Sequence, residues 1–300
     1  MIARSLVWPA LLLVSLGTCW ALRLLAIKWA SQGGADTVGI VLIATASIVA
    51  ITTAINLLRS KSPPLSRSHL RFYVLAGLFG FGAPFLAEVA VAPHLSALIF
   101  VIVVATTPIW VTCISAVTGT ERLSLTRVLG GVGGFAAVVM IVLATQMQHV
   151  ELSQPVNLFW VLAAIGIPLL YALYILYVSS AWPANLDNLQ GAQGQGCVAL
   201  VSFLGIWIFK GEGIVEFTAS IEFWPVAMIV VAEILGLILL FQIARSFGGN
   251  FVSQANYVSI VVGAVISVMF FGQPISLGII VGIVLLLISM WFSLRAIDNL

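Results

Sequence analysis

Apolar residues dominate this chain in ten long stretches, separated by short polar segments. The stretches fall at 8–29, 38–58, 71–92, 95–118, 127–145, 157–179, 195–210, 223–245, 250–271 and 276–295. Most are close to the roughly 20 residues that an α-helix needs to cross a bilayer. The pattern predicts an all-α integral membrane protein with ten transmembrane helices. The seventh is the weakest, because the polar run GAQGQG at 191–196 precedes its apolar part.

The composition supports a membrane protein and argues against other classes. Of the 300 residues, 62% are hydrophobic and 7% are charged, whereas a soluble domain carries about a quarter charged residues. The net charge of +2 is too small to indicate nucleic-acid binding. The three cysteines are scattered, which suits neither a disulfide framework nor a metal site. The N-terminal stretch also resembles a signal peptide, but it is long enough to span and is interpreted as a retained first helix.

The basic residues predict the orientation of the chain, because Lys and Arg concentrate in cytoplasmic loops. With ten helices and a cytoplasmic N-terminus, nine of the twelve fall on the cytoplasmic side: Arg4, Arg59, Lys61, Arg67, Arg71, Arg122, Arg127, Arg245 and Arg295. Lys28 and Lys210 fall on the other side, and Arg23 lies inside a helix. Removing helix seven weakens this bias. We therefore expect a multi-pass protein of the cell (inner or plasma) membrane with both termini in the cytoplasm.

Two connecting segments reveal an internal duplication. GTERLSLTRVLGG begins at residue 119 and GQPISLGIIVG at residue 272, so that Glu121 and Gln273 lie 152 positions apart. Ser124-Leu125 and Gly130 reappear in the second copy as Ser276-Leu277 and Gly282. The halves 1–150 and 151–300 each hold five predicted helices, an odd number, so the second copy enters the membrane in the opposite sense. Inverted repeats of this kind are typical of secondary transporters.

These residues resemble the EamA family of the drug/metabolite transporter superfamily. The resemblance rests on Thr107-Pro108, on Glu121-Arg122-Leu123-Ser124 with Gly130, and on the matching FGQPIS. It implies two inverted five-helix repeats and a cavity for small metabolites, lined mainly by helices 1, 3, 4, 6, 8 and 9. The chain departs from the family at Gln273, where Glu is usual, at Trp20-Ala21, where Trp-Gly is common, and near Ser259–Gly263, where a proline is expected. The resemblance therefore gives a class and no substrate.

Three charged residues stand out because they lie well inside the predicted helices, where an ionised group costs several kcal/mol unless it is paired or hydrated. From the helical rise, Arg23 lies roughly 7 Å and Glu88 roughly 10 Å outward of the midplane, while Glu233 lies near it. Arg23 and Glu88 are thus close enough in depth to form either a structural ion pair or a gate that clamps substrate. Glu233 has no evident partner at its depth. It is either a neutral, hydrogen-bonded glutamic acid or a carboxyl that exchanges protons for substrate.

Uncharged polar and aromatic residues supply further candidates for substrate binding. Asn250, Ser253, Gln254 and Tyr257 share one face of helix nine, which indicates either interhelical hydrogen bonds or a wall of the pathway. Tyr171 and Tyr174 of helix six could stack on a solute or pack in the core. Thr107 precedes Pro108 at the midplane, where a proline frees a carbonyl or simply kinks the helix. Gly130 and Gly134 are interpreted as helix-packing positions, and Glu121 as a local cap or ion-pair partner.

The sequence favours a carrier over an enzyme. His69, His94 and His149 fall at or beyond helix ends, and the chain has no GxSxG or HExxH motif. We expect a secondary transporter that exports small organic metabolites or drugs by alternating access, without a cofactor, as a monomer or weak homodimer in the lipid bilayer. Proton coupling is a hypothesis that rests on Glu233. A passive facilitator or channel for small solutes is the alternative.

Overall fold

The computed structural model describes residues 2–32, 36–95, 103–104, 106–119, 125–146, 158–210, 222–271 and 277–295. Within these ranges all regular secondary structure is helical, and we number the helices in sequence order. They are α1 (Ile2–Gln32), α2 (Thr37–Leu58), α3 (Arg67–Val91), α4 (Thr107–Thr118), α5 (Leu125–Gln146), α6 (Leu158–Ala181), α7 (Asn188–Lys210), α8 (Phe223–Phe247), α9 (Gly249–Ser253 followed by Ala255–Phe271) and α10 (Leu277–Arg295).

Six helices in the described part of the chain are long and apolar enough to cross a membrane. Their spans are Val7–Ala30, Thr37–Leu58, Arg67–Val91, Leu162–Ala181, Asn188–Phe209 and Phe223–Phe247. Shorter apolar stretches lie in α4, α5 and α10. The prediction of an all-helical, multi-pass membrane protein is therefore confirmed at this level.

The helices pack across the two halves of the sequence. α1 lies against α8 and α9, while α6 lies against α3 and α4. α2 packs on α7, and α5 packs extensively on α10. The main apolar core runs through α1, α2, α3, α6, α7, α8 and α9, with Phe72, Phe85, Phe203, Phe241 and Tyr257 among its fully buried side chains.

The seventh helix begins earlier than the apolar pattern predicts. It starts at Asn188 instead of residue 195, so the GAQGQG run lies inside it. A Cβ on Gly191 would lie 2.9 Å from Trp182, and one on Gly196 would lie 3.1 Å from Val49. Glycine weakens a helix by about 1 kcal/mol per residue, but here it lets the backbone approach its neighbours closely. Hydropathy alone misses this helix start because the contacts that stabilise it are tertiary.

α3 is continuous but changes its winding in the middle. Residues Ala76–Gly82 form a π-helical turn, and the Ala83 amide donates to the carbonyl of Leu78, five residues back. Pro84 follows directly and has no amide hydrogen, so the Gly80 carbonyl loses its usual helical donor. Turns of this type occur frequently at functional sites. Pro84 thus alters the winding of α3 without breaking the helix.

The two repeated connections lie only partly within the described residues. Gly119 ends α4 in the left-handed conformation, with φ of 66°, which is a common glycine C-cap. Leu125 and Leu277 begin α5 and α10. Glu121, Arg122 and Gln273 lie outside the described residues, as does His149.

Candidate functional site

A small cavity lies where helices from both halves of the chain meet. Its walls come from α1, α3, α6, α8 and α9, with Val104 from the turn before α4. This is the set of helices that the family resemblance implies. The cavity offers about 40 Å³ to the centres of water-sized molecules, enough for a few waters. A larger solute enters only if the helices separate.

Three charged side chains meet in this cavity. Arg23 Nη1 lies 2.5 Å from Glu88 Oε2, and Arg23 Nε lies 2.5 Å from Glu233 Oε2. All three residues are buried. The expected Arg23–Glu88 pair is therefore present. The expectation that Glu233 has no partner at its depth is wrong, because the long Arg23 side chain bridges α3 and α8.

The surroundings of this cluster fix its geometry. α1 packs on α8, and the guanidinium of Arg23 lies 4.8 Å from the centre of the Phe85 ring, a favourable cation–π arrangement. The hydroxyl of Tyr171 donates to Glu88 Oε1 at 2.9 Å. A buried ion pair is stable only when further contacts satisfy its remaining atoms. The Phe85 ring and the Tyr171 hydroxyl supply such contacts to Arg23 and Glu88.

The cluster holds more negative than positive charge. When all three groups are ionised, two carboxylates face one guanidinium, and Arg23 is the only cation among the described residues that line the cavity. Glu233 is 9% exposed and Glu88 1%, so Glu233 is the carboxylate more open to the cavity. The uncompensated charge lies in surroundings where an ionised group is expensive. A proton or another cation would balance it.

Tyr174 forms an aromatic wall of the cavity next to the π-helical turn. Its hydroxyl donates to Oε1 of the buried Gln195 at 2.9 Å, and its ring lies against Gly80. Gln195 belongs to the GAQGQG run, where the hydropathy pattern indicates only a weak helix and gives no sign of a contact with Tyr174. Trp20 and Phe81 also line the cavity, but nothing in the sequence separates them from ordinary core aromatics.

The polar stripe of α9 faces α4 and α5 instead of the cavity. Asn250 Nδ2 donates to Ser115 Oγ at 3.2 Å, and Thr112 Oγ1 donates to Asn250 Oδ1 at 3.0 Å. The Tyr257 hydroxyl donates to the carbonyl of Gly131 at 2.6 Å. These contacts match the alternative of interhelical hydrogen bonding.

Other residues of α9 line the cavity. Gln254, from the stripe, is buried and lies outside the cavity lining, as does Tyr257. Asn256 and Ser259 lie within the lining. Helical spacing identifies the stripe as one face, but it does not say which of the neighbouring helices that face meets.

Thr107 satisfies the carbonyl that Pro108 frees. Proline at 108 removes the amide hydrogen that would bond to the carbonyl of Val104, and Thr107 Oγ1 donates to that oxygen at 2.7 Å. Thr107 is fully buried, while Val104 lines the cavity. The broken backbone at this point is therefore capped internally by Thr107.

A second charged cluster joins loops at one end of the bundle. Asp187 lies between α6 and α7, and its Oδ2 is 3.0 Å from Arg59 Nη2 and 3.4 Å from Lys61 Nζ. Both cations follow α2. Burial alone would raise the pKa of Asp187, but the backbone amide of Gln190 and the two cations outweigh it and hold the pKa below its ordinary value.

The end of α8 reaches the same cluster of loops. Arg245 donates to Asn188 Oδ1 at 3.1 Å and lies over the Trp182 ring. The connections after α2, α6 and α8 therefore lie at the same end of the bundle.

The two histidines among the described residues both contact distant parts of the chain. His69 lies 2.6 Å from Ser66 Oγ and 3.0 Å from the carbonyl of Ala184, while His94 stacks on Trp160. Among the residues that the structure describes, no group of three or more His, Cys, Asp or Glu side chains could hold a metal ion.

Comparisons with known proteins agree with the fold. A solved structure described as "Crystal structure of protein" is similar over 94% of this chain and 96% of its own, with a TM-score of 0.71 and 16% sequence identity. At that identity the likeness shows the fold alone. No curated protein sequence matches the chain. Residues 7–143 match the model of the EamA-like transporter family. The resemblance is thereby confirmed for this part of the chain, and the matching family belongs to the drug/metabolite transporter superfamily.

Proposed function

We propose that this protein is a secondary carrier that exports small organic solutes across the cell membrane, with both termini in the cytoplasm. It exchanges solute for protons at the Arg23–Glu88–Glu233 cluster by alternating access of two inverted repeats. The observation that carries the proposal is the buried, unbalanced charge cluster in a cavity between the two halves.

The packing of the helices supports an inverted repeat. Under the duplication, α1 to α5 correspond to α6 to α10 in order. α1 packs on α8 and α9, and α6 packs on their counterparts α3 and α4. α2 pairs with its own counterpart α7, and α5 with α10. Two halves related in this way can exchange contacts, so that the cavity opens first to one side of the membrane and then to the other.

The distribution of loops supports ten membrane crossings. The connections after α2, α6 and α8 contact one another at one end of the bundle. In a ten-helix topology these connections all follow an even-numbered helix, which puts them on the same side as the N-terminus. Arg59 and Lys61 lie in the connection after α2 and Arg245 in the last turn of α8, so the positive-inside rule favours a cytoplasmic position for this end.

The charge count supports proton coupling. Glu88 accepts from Tyr171 and faces Arg23, so the more accessible Glu233 is the proposed site of the extra proton. When proton and solute compete for this site, only one occupies it at a time. In a membrane with an acidic exterior, inward proton movement then drives the solute outward.

Solute counterflow in liposomes that contain the purified protein tests the proposal. Labelled phenylalanine, uridine and phenethyltrimethylammonium serve as probes, because each crosses lipid slowly by itself. A carrier should show saturable uptake that accelerates when the same unlabelled solute is inside. Flux without this acceleration would indicate a passive facilitator. Flux equal to that of protein-free liposomes for all three probes would contradict the proposed function.

A further inference from the structure

We propose that the solute carries one positive charge, an ammonium or similar group, on an aromatic or apolar body, and that this cation takes the place of the proton beside Glu233. The inference rests on the proposed function and names the substrate class of the same cavity. It follows from three features of the site: its net negative charge, the pairing of Arg23 with two carboxylates, and the aromatic and neutral polar side chains of its walls.

The charge of the cavity favours a cation. Two carboxylates face one guanidinium, which leaves one negative charge when all three are ionised. A bound ammonium group would balance that charge in a site largely shielded from water, where opposite charges attract strongly. An anionic solute would add a second uncompensated charge.

Arg23 is not available to recognise a carboxylate on the solute. Its Nη1 faces Glu88 and its Nε faces Glu233, while the flat face of the guanidinium lies over Phe85. A solute carboxylate would have to displace one of two carboxylates that the protein already holds in place. The site therefore discriminates against acids and, less strongly, against zwitterions.

The walls favour an aromatic or apolar body next to the positive charge. Trp20, Phe81, Tyr171 and Tyr174 present rings to the cavity, and Asn256 and Ser259 add neutral polar groups. Aromatic faces attract cations and stack on planar groups. A phenylethyl group with a terminal ammonium combines the two features that this lining would recognise.

Protons and the cation compete, so binding should weaken as the pH falls. The titratable or charged groups that face Glu233 are Arg23 and Cys19 on α1, Glu88 on α3, and Tyr171 and Tyr174 on α6. Of these, only the two glutamates carry the negative charge that an ammonium would balance. Protonation of Glu233 removes the charge that attracts the solute.

Equilibrium binding to the detergent-solubilised protein tests the inference with four matched probes. They are phenethylamine, its neutral N-acetyl derivative, the zwitterion phenylalanine and the anion 3-phenylpropionate. We expect phenethylamine to bind at least about tenfold more tightly than the other three, and its affinity to fall on acidification. Glu233→Gln should weaken phenethylamine binding by about tenfold or more. Glu222→Gln, which neutralises an exposed carboxylate at the start of α8, should leave it unchanged.

Several results would overturn the inference. These are equal or tighter binding of phenylalanine or phenylpropionate, no detectable binding of phenethylamine, and affinity that is independent of pH in the wild-type protein. The pH series needs no variant, so it stands even if Glu233→Gln fails to fold. Counterflow of uridine or phenylalanine without phenethylamine binding would reject the substrate class and leave the carrier intact. Absence of counterflow for every probe would reject the carrier itself.

Discussion

Replacing Gly80 with alanine should displace the aromatic wall of the cavity. Gly80 lies in the π-helical turn of α3, and a Cβ there would overlap the Tyr174 ring, 2.5 Å from Cε2 and closer still to Cδ2 and Cγ. Carbon atoms in good contact lie about 3.5–4.0 Å apart, so the ring must move by more than about 1 Å. That movement strains or breaks the hydrogen bond from Tyr174 to Gln195, whose buried Nε2 has no hydrogen-bond partner within the described part of the chain.

Three contributions determine how far Gly80→Ala changes the free energy of unfolding. Overpacking a tight contact costs about 1–3 kcal/mol, and loss of a hydrogen bond costs about 0.5–1.5 kcal/mol. Alanine regains about 1 kcal/mol of helix propensity over glycine. Gly80→Ala should therefore destabilise the protein by about 1–3 kcal/mol, and it should also weaken solute binding because Tyr174 lines the cavity.

Gly166→Ala is the matched control, because among the described residues no atom from outside its own helix backbone lies within 4 Å of the added Cβ. Unfolding of both variants by SDS in mixed micelles, followed by circular dichroism, measures the difference. We expect the control to match or exceed the stability of the wild-type protein. Equal stability of Gly80→Ala and Gly166→Ala would refute the packing argument.

Three further substitutions probe other contacts, each measured by the same unfolding titration. Thr107→Val should lower the free energy of unfolding by about 1–3 kcal/mol, because it leaves the Val104 carbonyl without its hydroxyl donor. Thr107→Ser keeps a hydroxyl and should retain most of that stability. Equal losses of stability in the two variants would contradict the capping role. Tyr257→Phe removes the hydroxyl that donates to the Gly131 carbonyl, so it should destabilise the protein by about 1 kcal/mol without changing solute affinity. A loss of affinity in this variant would indicate that Tyr257 binds the solute. The pKa of Asp187 is lowered in the folded state, so its stabilisation is present above its ordinary value of 3.8 and is lost as the pH falls through the folded pKa. Asp187→Asn should reduce the loss of stability on acidification by about 0.2–1 kcal/mol. An unchanged loss of stability at low pH would contradict this role of Asp187.

The helical architecture could largely be predicted from the sequence, because spanning length and the rarity of charge are local properties of the chain. The helices that line the cavity followed from the family resemblance. Arg23 and Glu88 could be paired because their estimated depths were similar. Hydropathy could not predict that helices begin at Arg67 and Asn188, because the first turns there are polar or glycine-rich and are stabilised by tertiary contacts.

The partner of Glu233 could not be predicted from depth alone. The helical rise gives the position of a Cα along its own axis, but it omits helix tilt and the length of the arginine side chain. Likewise, the stripe of Tyr257 identified one face of α9 without saying which neighbour it meets. The structure puts α5 there, and Asn256 and Ser259 line the cavity instead.

The central claim is that the charge cluster exchanges protons for solute. Its most direct test is gradient-driven uptake of labelled phenethyltrimethylammonium into liposomes with an acidic lumen that contain wild-type protein or Glu233→Gln, each checked for a folded, monodisperse state. We predict accumulation against the concentration gradient for the wild-type protein and none for the variant. Undiminished gradient-driven accumulation by Glu233→Gln would contradict the account.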